Sequence, residues 1–137
     1  MPSRRKKRRT QKNGDEEDET LKDIPRSFVV RRGWVMGPVR ELISEIRLML
    51  SPHTAVRLKE RRSNTIKDYL GVAGHLGVSH VWLVSSTEVR TLIRIARASR
   101  GPTLTLAMEA YSLIRDVRAT QRRPLAMGDK EFREPPL

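Results

Sequence analysis

Residues 78–84 read VSHVWLV, and this apolar run constrains the fold more than any other part of the sequence. Val81, Trp82, Leu83 and Val84 are consecutive, so apolar side chains would point to both faces of a strand. Such a strand is typical of a sheet that is covered on both sides. The chain of 137 residues is long enough for one domain of this layered kind.

The elements before this run are a strand and a helix. Residues 27–31 are short and β-branched, which predicts a strand. Residues 38–50 are predicted to be a helix, with Pro38 in its first turn and Pro52 ending it. Its apolar stripe consists of Val39, Leu42, Ile43 and Ile46. The opposite face is predicted to be solvated and carries Arg40, Glu41, Ser44 and Arg47.

The elements after this run are two strands and a closing helix. Residues 88–98 fit a helix or a strand, and their β-branched residues favour the strand. After a turn at 100–102, apolar and polar residues alternate over 103–108, which predicts a half-buried strand. Residues 112–121 are predicted to be a helix with Ser112 as N-cap and with Ile114 and Val117 facing inward. The predicted order is β-α-(basic segment)-β-β-β-α, a mixed α/β (α+β) layer structure.

The charge of the chain is strongly positive, and most of the excess lies in the part that can fold. The formal net charge is +12 and the isoelectric point is near 11.1. Residues 1–23 carry 8 cations and 6 acids, whereas residues 24–137 carry 20 cations and 10 acids. A folded region this basic predicts a polyanionic partner, which is more often nucleic acid than a membrane surface.

The residues that catalysis or metal binding requires are scarce. The chain has no cysteine, which excludes disulfides and cysteine-based zinc sites. His53, His75 and His80 lack metal-ligand spacing, and no phosphate-binding glycine loop is present. No apolar run approaches the ~20 residues that span a bilayer. We therefore expect a protein that is not an enzyme, with no cofactor, metal, small-molecule substrate or membrane partner.

The candidate binding surface is the basic stretch 57–67. Phosphate neutralisation requires dense Arg and Lys, because Arg offers a bidentate fork and Lys a point charge. The alternative is a solvated loop that binds nothing specific. The predicted RNA-binding residues of this stretch are Arg57, Lys59, Arg61, Arg62, Asn64 and Lys67. A weaker group, with a solvated strand rim as its alternative, contains Arg94, Arg97 and Arg100.

The aromatic residues predict how RNA would be held. There are six of them, and they are too dispersed along the chain for a base-stacking platform. RNA is therefore expected to be bound through its backbone and shape.

Residues 1–23 form a low-complexity tail that is predicted to be disordered, since neither its basic nor its acidic block can bury apolar surface. The basic block indicates a nuclear or nucleolar localisation signal, and a solvated tail without a receptor is the alternative. The signal consists of Arg4, Arg5, Lys6, Lys7, Arg8 and Arg9. The acidic run at 15–19 has no role that its residues identify.

Several segments closely resemble the Peter Pan-type (SSF) Brix-domain proteins. The longest is residues 54–69, TAVRLKERRSNTIKDY. Shorter collinear matches lie at residues 25–29 (PRSFV), 73–80 (AGHLGVSH), 100–105 (RGPTLT), 111–113 (YSL) and 135–137 (PPL). The resemblance thus covers about residues 25–137.

The resemblance implies a nucleolar factor in the maturation of the large (60S) ribosomal subunit. Its partners would be precursor rRNA, other assembly factors and ribosomal proteins. The implied fold is related to anticodon-binding domains and has two similar halves, and it favours a strand at 88–98. The residues that would face rRNA are Arg57, Lys59, Arg61 and Lys67. Gly101 and its neighbours resemble a structural turn of the family.

Two departures from the family pattern have structural consequences. His75 stands where relatives commonly have proline, which predicts a looser loop. The sequence also stops where relatives continue into the second half of the domain. Residues 24–137 are therefore expected to be the first half of a Brix domain, as a truncated product or as a half that another chain stabilises. The face meant for the second half would be apolar and exposed, and the isolated polypeptide is expected to self-associate.

Two other classes of protein fit the same composition. A structural ribosomal protein is equally basic and equally free of catalytic residues. A sequence-tolerant DNA-binding chromatin protein would also present a dense cationic surface. An assembly factor that binds precursor rRNA is the reading that the resemblance favours.

Overall fold

The computed structural model describes residues 24–61, 63–98, 100–126, 128 and 131. They form strands β1 (Arg26–Arg31), β2 (Val78–Ser86), β3 (Thr91–Arg97) and β4 (Thr103–Met108). The helices are α1 (Gly37–Met49), α2 (Ile66–Ala73) and α3 (Ile114–Thr120). The predicted mixed α/β class and the predicted order of elements are confirmed. Helix α2 is an addition at the end of the basic stretch.

The four strands form one sheet in the order β1-β2-β3-β4. β1 is parallel to β2, whereas β2–β3 and β3–β4 are antiparallel pairs. A parallel pair needs a long crossover connection, and α1, the basic stretch and α2 provide it. The strand order makes β1 and β4 the edge strands of this sheet.

Helix α1 covers one face of β1 and β2. Pro38 lies in its first turn, as predicted, where its missing N–H costs no hydrogen bond. Val39 and Ile43 are buried on its inner side and pack with Val29 of β1 and Val84 of β2. The predicted apolar stripe is therefore the surface that attaches this helix to the sheet.

Helix α2 and the chain before it cover the opposite face. Phe28 and Val30 of β1 and Leu83 of β2 pack there with Tyr69 and Ala73 of α2. The rings of Phe28 and Tyr69 meet edge to face, with centroids 6.5 Å apart. Because β2 buries side chains on both faces, the prediction from its apolar run is confirmed.

The polar side of α1 is not wholly solvated, contrary to the prediction. Arg47 is only 7% exposed, and its Nε and Nη2 donate to the Val29 carbonyl at 2.9 and 2.7 Å. Its Nη1 donates to the Leu58 carbonyl at 3.1 Å, and the guanidinium pairs with Glu60. The prediction is wrong for Arg47 because this long side chain reaches the main chain of the edge strand rather than water.

Strand β3 confirms the strand alternative for residues 88–98. Thr91–Arg97 pairs with both β2 and β4. Arg100 has a φ of 71°, so the following connection turns through the left-handed region. A Cβ at Gly101 would lie 2.4 Å from the Cβ of Arg97, so glycine is required at the predicted turn.

Strand β4 is not half-buried, contrary to the prediction from its alternation. Leu104 and Leu106 are 56% and 45% exposed, and five of the six residues of the strand are exposed. The alternation itself is right, because Leu106 shares a row with Ile93 of β3 and Val84 of β2. Half-burial fails because α1 packs on the β1 side of the sheet and does not extend to β4.

Helix α3 begins later than predicted and does not bury its apolar side chains. Its N-cap is Leu113 instead of Ser112, since the Asp116 carboxylate accepts the Leu113 N–H at 3.2 Å. Ile114 and Val117, which are predicted to face inward, are 36% and 46% exposed. Leu113 is the buried side chain of this region, at 1% exposed.

Polar contacts join α3 to α1, which explains the exposure of its apolar residues. The Glu45 carboxylate accepts the Ile114 N–H at 3.0 Å. The guanidinium of Arg115 lies 2.8 Å from the Glu41 carboxylate. The helix is therefore held by its first turn and not by an apolar face.

Candidate nucleic-acid interface

Residues 57–61 form an irregular stretch in which burial alternates along the chain. Leu58 and Glu60 are half-buried, and Leu58 packs against the apolar cluster beneath α2. Arg57, Lys59 and Arg61 are exposed. A period of two is the spacing that places alternate side chains on opposite sides of a non-helical chain. The stretch therefore presents three cations on its outer side and is attached to the protein through its inner side.

An ion-pair network fixes the inner side of this stretch. The Glu60 carboxylate pairs with Arg47 of α1 and lies 3.2 Å from Nε of Arg31. It also accepts the main-chain N–H of Arg31 at 3.1 Å, at the free edge of β1. The Glu60 side chain is only 10% exposed, so its negative charge is balanced mainly by the guanidinium groups of Arg31 and Arg47 and little by water. The backbone that carries the outer cations is thus held against the sheet.

The chain then turns and enters α2. The Asn64 N–H donates to the Arg61 carbonyl at 3.2 Å, and the Asn64 side-chain amide donates to the Tyr69 hydroxyl at 3.1 Å. Lys67 is exposed in the first turn of α2. A cation at a helix N-terminus opposes the helix dipole. Lys67 therefore does not stabilise α2 through the helix dipole, and stabilisation of the dipole does not explain a lysine at this position.

Asp68 closes the N-terminal end of α2. Its carboxylate accepts the Thr65 N–H at 2.7 Å and the Thr65 hydroxyl at 2.9 Å. These hydrogen bonds, from the backbone first and the hydroxyl second, lower the pKa of Asp68 from its ordinary value of 3.8. The negative charge of Asp68 is thus directed to the helix N-terminus.

The exposed cations of the basic stretch have no carboxylate partner among the described residues. None of the ion pairs in this part of the chain involves Arg57, Lys59, Arg61 or Lys67. Glu60, the acid of the stretch, and Asp68, which directly follows it, are engaged with groups of the protein itself. The exposed side chains of Arg57, Lys59 and Arg61, and that of Lys67 in the first turn of α2, are therefore available for contact with phosphates.

A cavity of about 220 Å³ opens beside this stretch. Its wall includes Trp34, which is 69% exposed, together with Arg31, Arg61, Asn64 and Tyr69. The sequence does not indicate that Trp34 and Tyr69 line the same cavity, because the aromatic residues are dispersed along the chain. The fold brings Trp34 to the basic stretch because the β1–α1 connection returns to the same end of the sheet.

The second group of predicted cations lies elsewhere. Arg97 lines a separate cavity together with Gly74 and His75, which follow the C-terminal end of α2. Arg94 is half-buried, and Arg100 is exposed in the turn before β4. The cavity that Arg97 lines and the cavity beside Trp34 have no lining residue in common. The role of this second group in RNA binding stays a prediction.

Two sets of predicted site residues lie outside the described residues. One is Arg62 of the basic stretch. The other is the predicted localisation signal, Arg4, Arg5, Lys6, Lys7, Arg8 and Arg9, with the acidic run at 15–19 behind it.

Within the described ranges, no group of three or more His, Asp or Glu side chains could hold a metal ion. The helices α1–α3 are too short and too polar for any of them to cross a membrane.

Comparison with known proteins identifies the family. Residues 35–137 match the Brix domain. A Peter Pan-like protein of Arabidopsis thaliana is 42% identical over 83% of this chain and 33% of its own length. The protein named ribosome biogenesis protein SSF2 of Saccharomyces cerevisiae is 37% identical over 100% of this chain and 31% of its own length. The suppressor of SWI4 1 homolog of Homo sapiens is 42% identical over 82% of this chain and 24% of its own length.

These relatives are considerably longer than this chain, which spans about a third of the length of the first of them. The match nevertheless includes all the elements from α1 to α3 and the whole of the basic stretch. The resemblance that the motifs indicate is therefore confirmed, and the chain belongs to the Brix-domain family.

Proposed function

We propose that this chain is a non-enzymatic ribosome assembly factor that binds precursor rRNA through the basic stretch 57–67 during maturation of the large (60S) subunit. The observation that carries the proposal is a set of exposed cations without carboxylate partners among the described residues. Arg57, Lys59 and Arg61 lie on a backbone that the Arg47–Glu60 pair holds in place, and Lys67 lies in the first turn of α2. A relative that spans all of this chain is named as a ribosome biogenesis protein, which supports the same reading.

The arrangement suits a structured RNA backbone. Cations on alternate residues of a fixed stretch can contact successive phosphates without reordering, so little conformational entropy is lost on binding. Exposed Lys and Arg that take part in no ion pair can neutralise phosphates, and each such contact releases counterions that are condensed on the RNA. The net charge of +12 adds long-range attraction to this local surface.

The test is RNA binding by the full chain over a range of salt concentrations. The variant replaces Arg57, Lys59, Arg61 and Lys67 with glutamine. We expect weaker binding of a structured precursor-rRNA fragment and a salt slope that flattens by up to ~0.7–0.9 per lost contact. The matched control replaces four exposed arginines elsewhere, Arg40, Arg118, Arg122 and Arg123, which lowers the net charge equally.

The outcomes separate the proposal from its alternatives. Equal losses in the two variants would mean that the attraction is diffuse and that the basic stretch is not the site. Preference for duplex DNA over structured rRNA at fixed salt would favour a chromatin protein. Sedimentation with mature subunits, instead of precursor particles, would favour a structural ribosomal protein.

Two further parts of the proposal concern location and the rest of the domain. We propose that the basic block at 4–9 directs the chain to the nucleus and nucleolus, where assembly factors and ribosomal proteins would be its partners. Replacing that block with glutamine in a fluorescent fusion should disperse the protein from the nucleolus.

We also propose that residues 24–137 form the first half of a Brix domain, and that the exposed leucines of β4 face the second half.

A further inference from the structure

We propose that the cavity beside Trp34 takes one unpaired nucleotide of the bound RNA, with its base stacked on the Trp34 indole and its phosphate paired with Arg61. This inference rests on the proposed function, because RNA is the ligand in both. It goes further by naming the part of the RNA that is recognised and the aromatic residue that recognises it.

Trp34 is an exposed aromatic on a fixed support. Its side chain is 69% exposed, although a tryptophan of this size gains more from burial than most residues. Gly33 before it has a φ of +75°, which turns the chain away from β1, and Val35 after it is fully buried. The indole is therefore presented to solvent from a backbone that is anchored on both sides, as a stacking surface requires.

The polar groups around the cavity suit the edge of a base. The Asn64 amide uses one N–H on the Tyr69 hydroxyl, which leaves its other N–H and its carbonyl oxygen available. The Tyr69 hydroxyl accepts that bond and keeps its own proton to donate. A side-chain amide with a free donor and a free acceptor is the group that pairs with base edges in nucleic-acid complexes.

The charge around the cavity suits a phosphate. Arg31 and Arg61 both line it. Glu60 also lines it, but its carboxylate is held by Arg31 and Arg47, so its negative charge is compensated within the protein. Arg61 belongs to both the cavity and the basic stretch, so a strand whose phosphates follow the stretch would bring the next nucleotide to Trp34.

The size of the cavity suits a single base rather than a larger ligand. Its volume of about 220 Å³ is below the ~300–1,000 Å³ of drug-sized sites. A base within a duplex is stacked on both sides and cannot enter, whereas bases of bulges and loops are available for stacking on aromatic side chains. The predicted ligand is thus a base displaced from an RNA helix.

The experiment compares two RNA hairpins that differ by one unpaired nucleotide. Binding of the full chain to the bulged and the fully paired hairpin is measured at fixed salt, together with quenching of tryptophan fluorescence. Wild type should prefer the bulged hairpin by about tenfold, the typical contribution of one stacked base. Trp34→Leu should abolish the preference and most of the quenching while leaving the salt slope unchanged, and Trp34→Phe should keep part of the preference.

The control is Val89→Ser, since Val89 is an apolar side chain that is 85% exposed in the β2–β3 connection. Thermal unfolding should be the same for all these variants, because both positions are exposed. If Trp34→Leu binds both hairpins as wild type does, or loses affinity for both equally, the inference is overturned and the proposed function survives. Failure of wild type to bind either hairpin would overturn both.

Discussion

The two halves of the sheet differ in how their apolar residues are used. On β1 and β2, α1 covers one face and α2 the other, so Val84 is 0% exposed. Two strands further along the same row, Leu106 of β4 is 45% exposed. The same alternating pattern therefore stabilises the fold in one half and leaves an apolar surface in the other.

This difference has a functional consequence for the basic stretch. The stretch is attached to the covered half, through Leu58 and through the pairing of Glu60 with Arg47. Its cations are thus attached to the buried part of the sheet, whereas the leucines of β4 are exposed. The proposed RNA-binding surface and the proposed contact with a second half of the domain lie on different parts of the fold, so the two proposals can be tested separately.

Arg47→Met should have the largest effect on stability and would break the covered half. It leaves the Glu60 carboxylate half-paired and removes the donors to the Val29 and Leu58 carbonyls. Removing one partner of a buried ion pair costs about 3–5 kcal/mol, and we expect that loss in urea unfolding. Arg40→Met, on the exposed side of the same helix, should change the free energy of unfolding by less than about 0.5 kcal/mol.

A second variant decides whether the charge or the packing matters at this position. Replacing both Arg47 and Glu60 with methionine should recover part of the loss, because the carboxylate is removed and Arg31, whose side chain is 20% exposed, can turn to water. The rest of the loss should remain, because the Val29 and Leu58 carbonyls still lack their donors. Stability of Arg47→Met equal to that of Arg40→Met would contradict the role given to the network.

Alanine substitutions along one row of the sheet should sharpen the comparison between its halves. Val84→Ala removes two buried methyl groups and should cost about 2 kcal/mol. Leu106→Ala removes a larger group but should cost only about 0.5–1 kcal/mol, because that side chain is already exposed. Equal losses in equilibrium unfolding would mean that β4 is covered in solution, by a second copy of the chain or by another part of it.

Self-association should depend on the exposed leucines of β4. We expect concentration-dependent assembly of the wild-type chain in sedimentation velocity, since a contiguous apolar face exposed to water favours association. Replacing Leu104 and Leu106 with threonine should reduce it and retain β-strand propensity. The matched control places threonine at Leu76 and Leu125, which are 52% and 72% exposed outside the sheet. A wild-type chain that is monomeric at every concentration would refute this role for β4.

Much of the covered half can be predicted from the sequence, because its signals are local. In β2 and in α1, the spacing of apolar residues within the element is enough to predict which face is buried. Helix α2 also has such a signal: Ile66, Tyr69 and Ala73 are spaced at i, i+3 and i+7, although Gly71 and the polar stretch before it favour a loop. Its N-terminal pair, a threonine followed three residues later by an acid, is a second signal of the same kind.

The features that the sequence does not predict depend on contacts between distant elements. Arg47 follows Val39 and Ile43 at intervals of four residues, beside the apolar stripe, but its charge predicts a solvated side chain. Its contacts with Val29 and Glu60, which lie far away in the sequence, are what allow it to be buried. The alternation of β4 predicts which residues share a face of the sheet. It does not predict whether another element covers that face, and burial depends on such a cover. In the candidate site, charge density identifies the outward cations, whereas the neighbourhood of Trp34 depends on the path of the chain between β1 and α1.

Asp68→Asn should have the smallest effect, and it would appear as a change in pH dependence. The hydrogen bonds from Thr65 hold the pKa of Asp68 lower in the folded chain than its ordinary value of 3.8. The ionised carboxylate therefore stabilises α2 at pH values above about 4, and this contribution is lost as the pH falls through the folded pKa. Thermal unfolding of wild type should accordingly show a slightly larger acid-dependent loss than that of Asp68→Asn, with the variant slightly less stable at neutral pH. Glu88→Gln, which neutralises an exposed acid in the β2–β3 connection, should retain the wild-type profile. Profiles of wild type and Asp68→Asn that coincide from pH 7 to acid would mean that the cap contributes nothing, and that α2 is held on the covered half by Tyr69 and Ala73 alone.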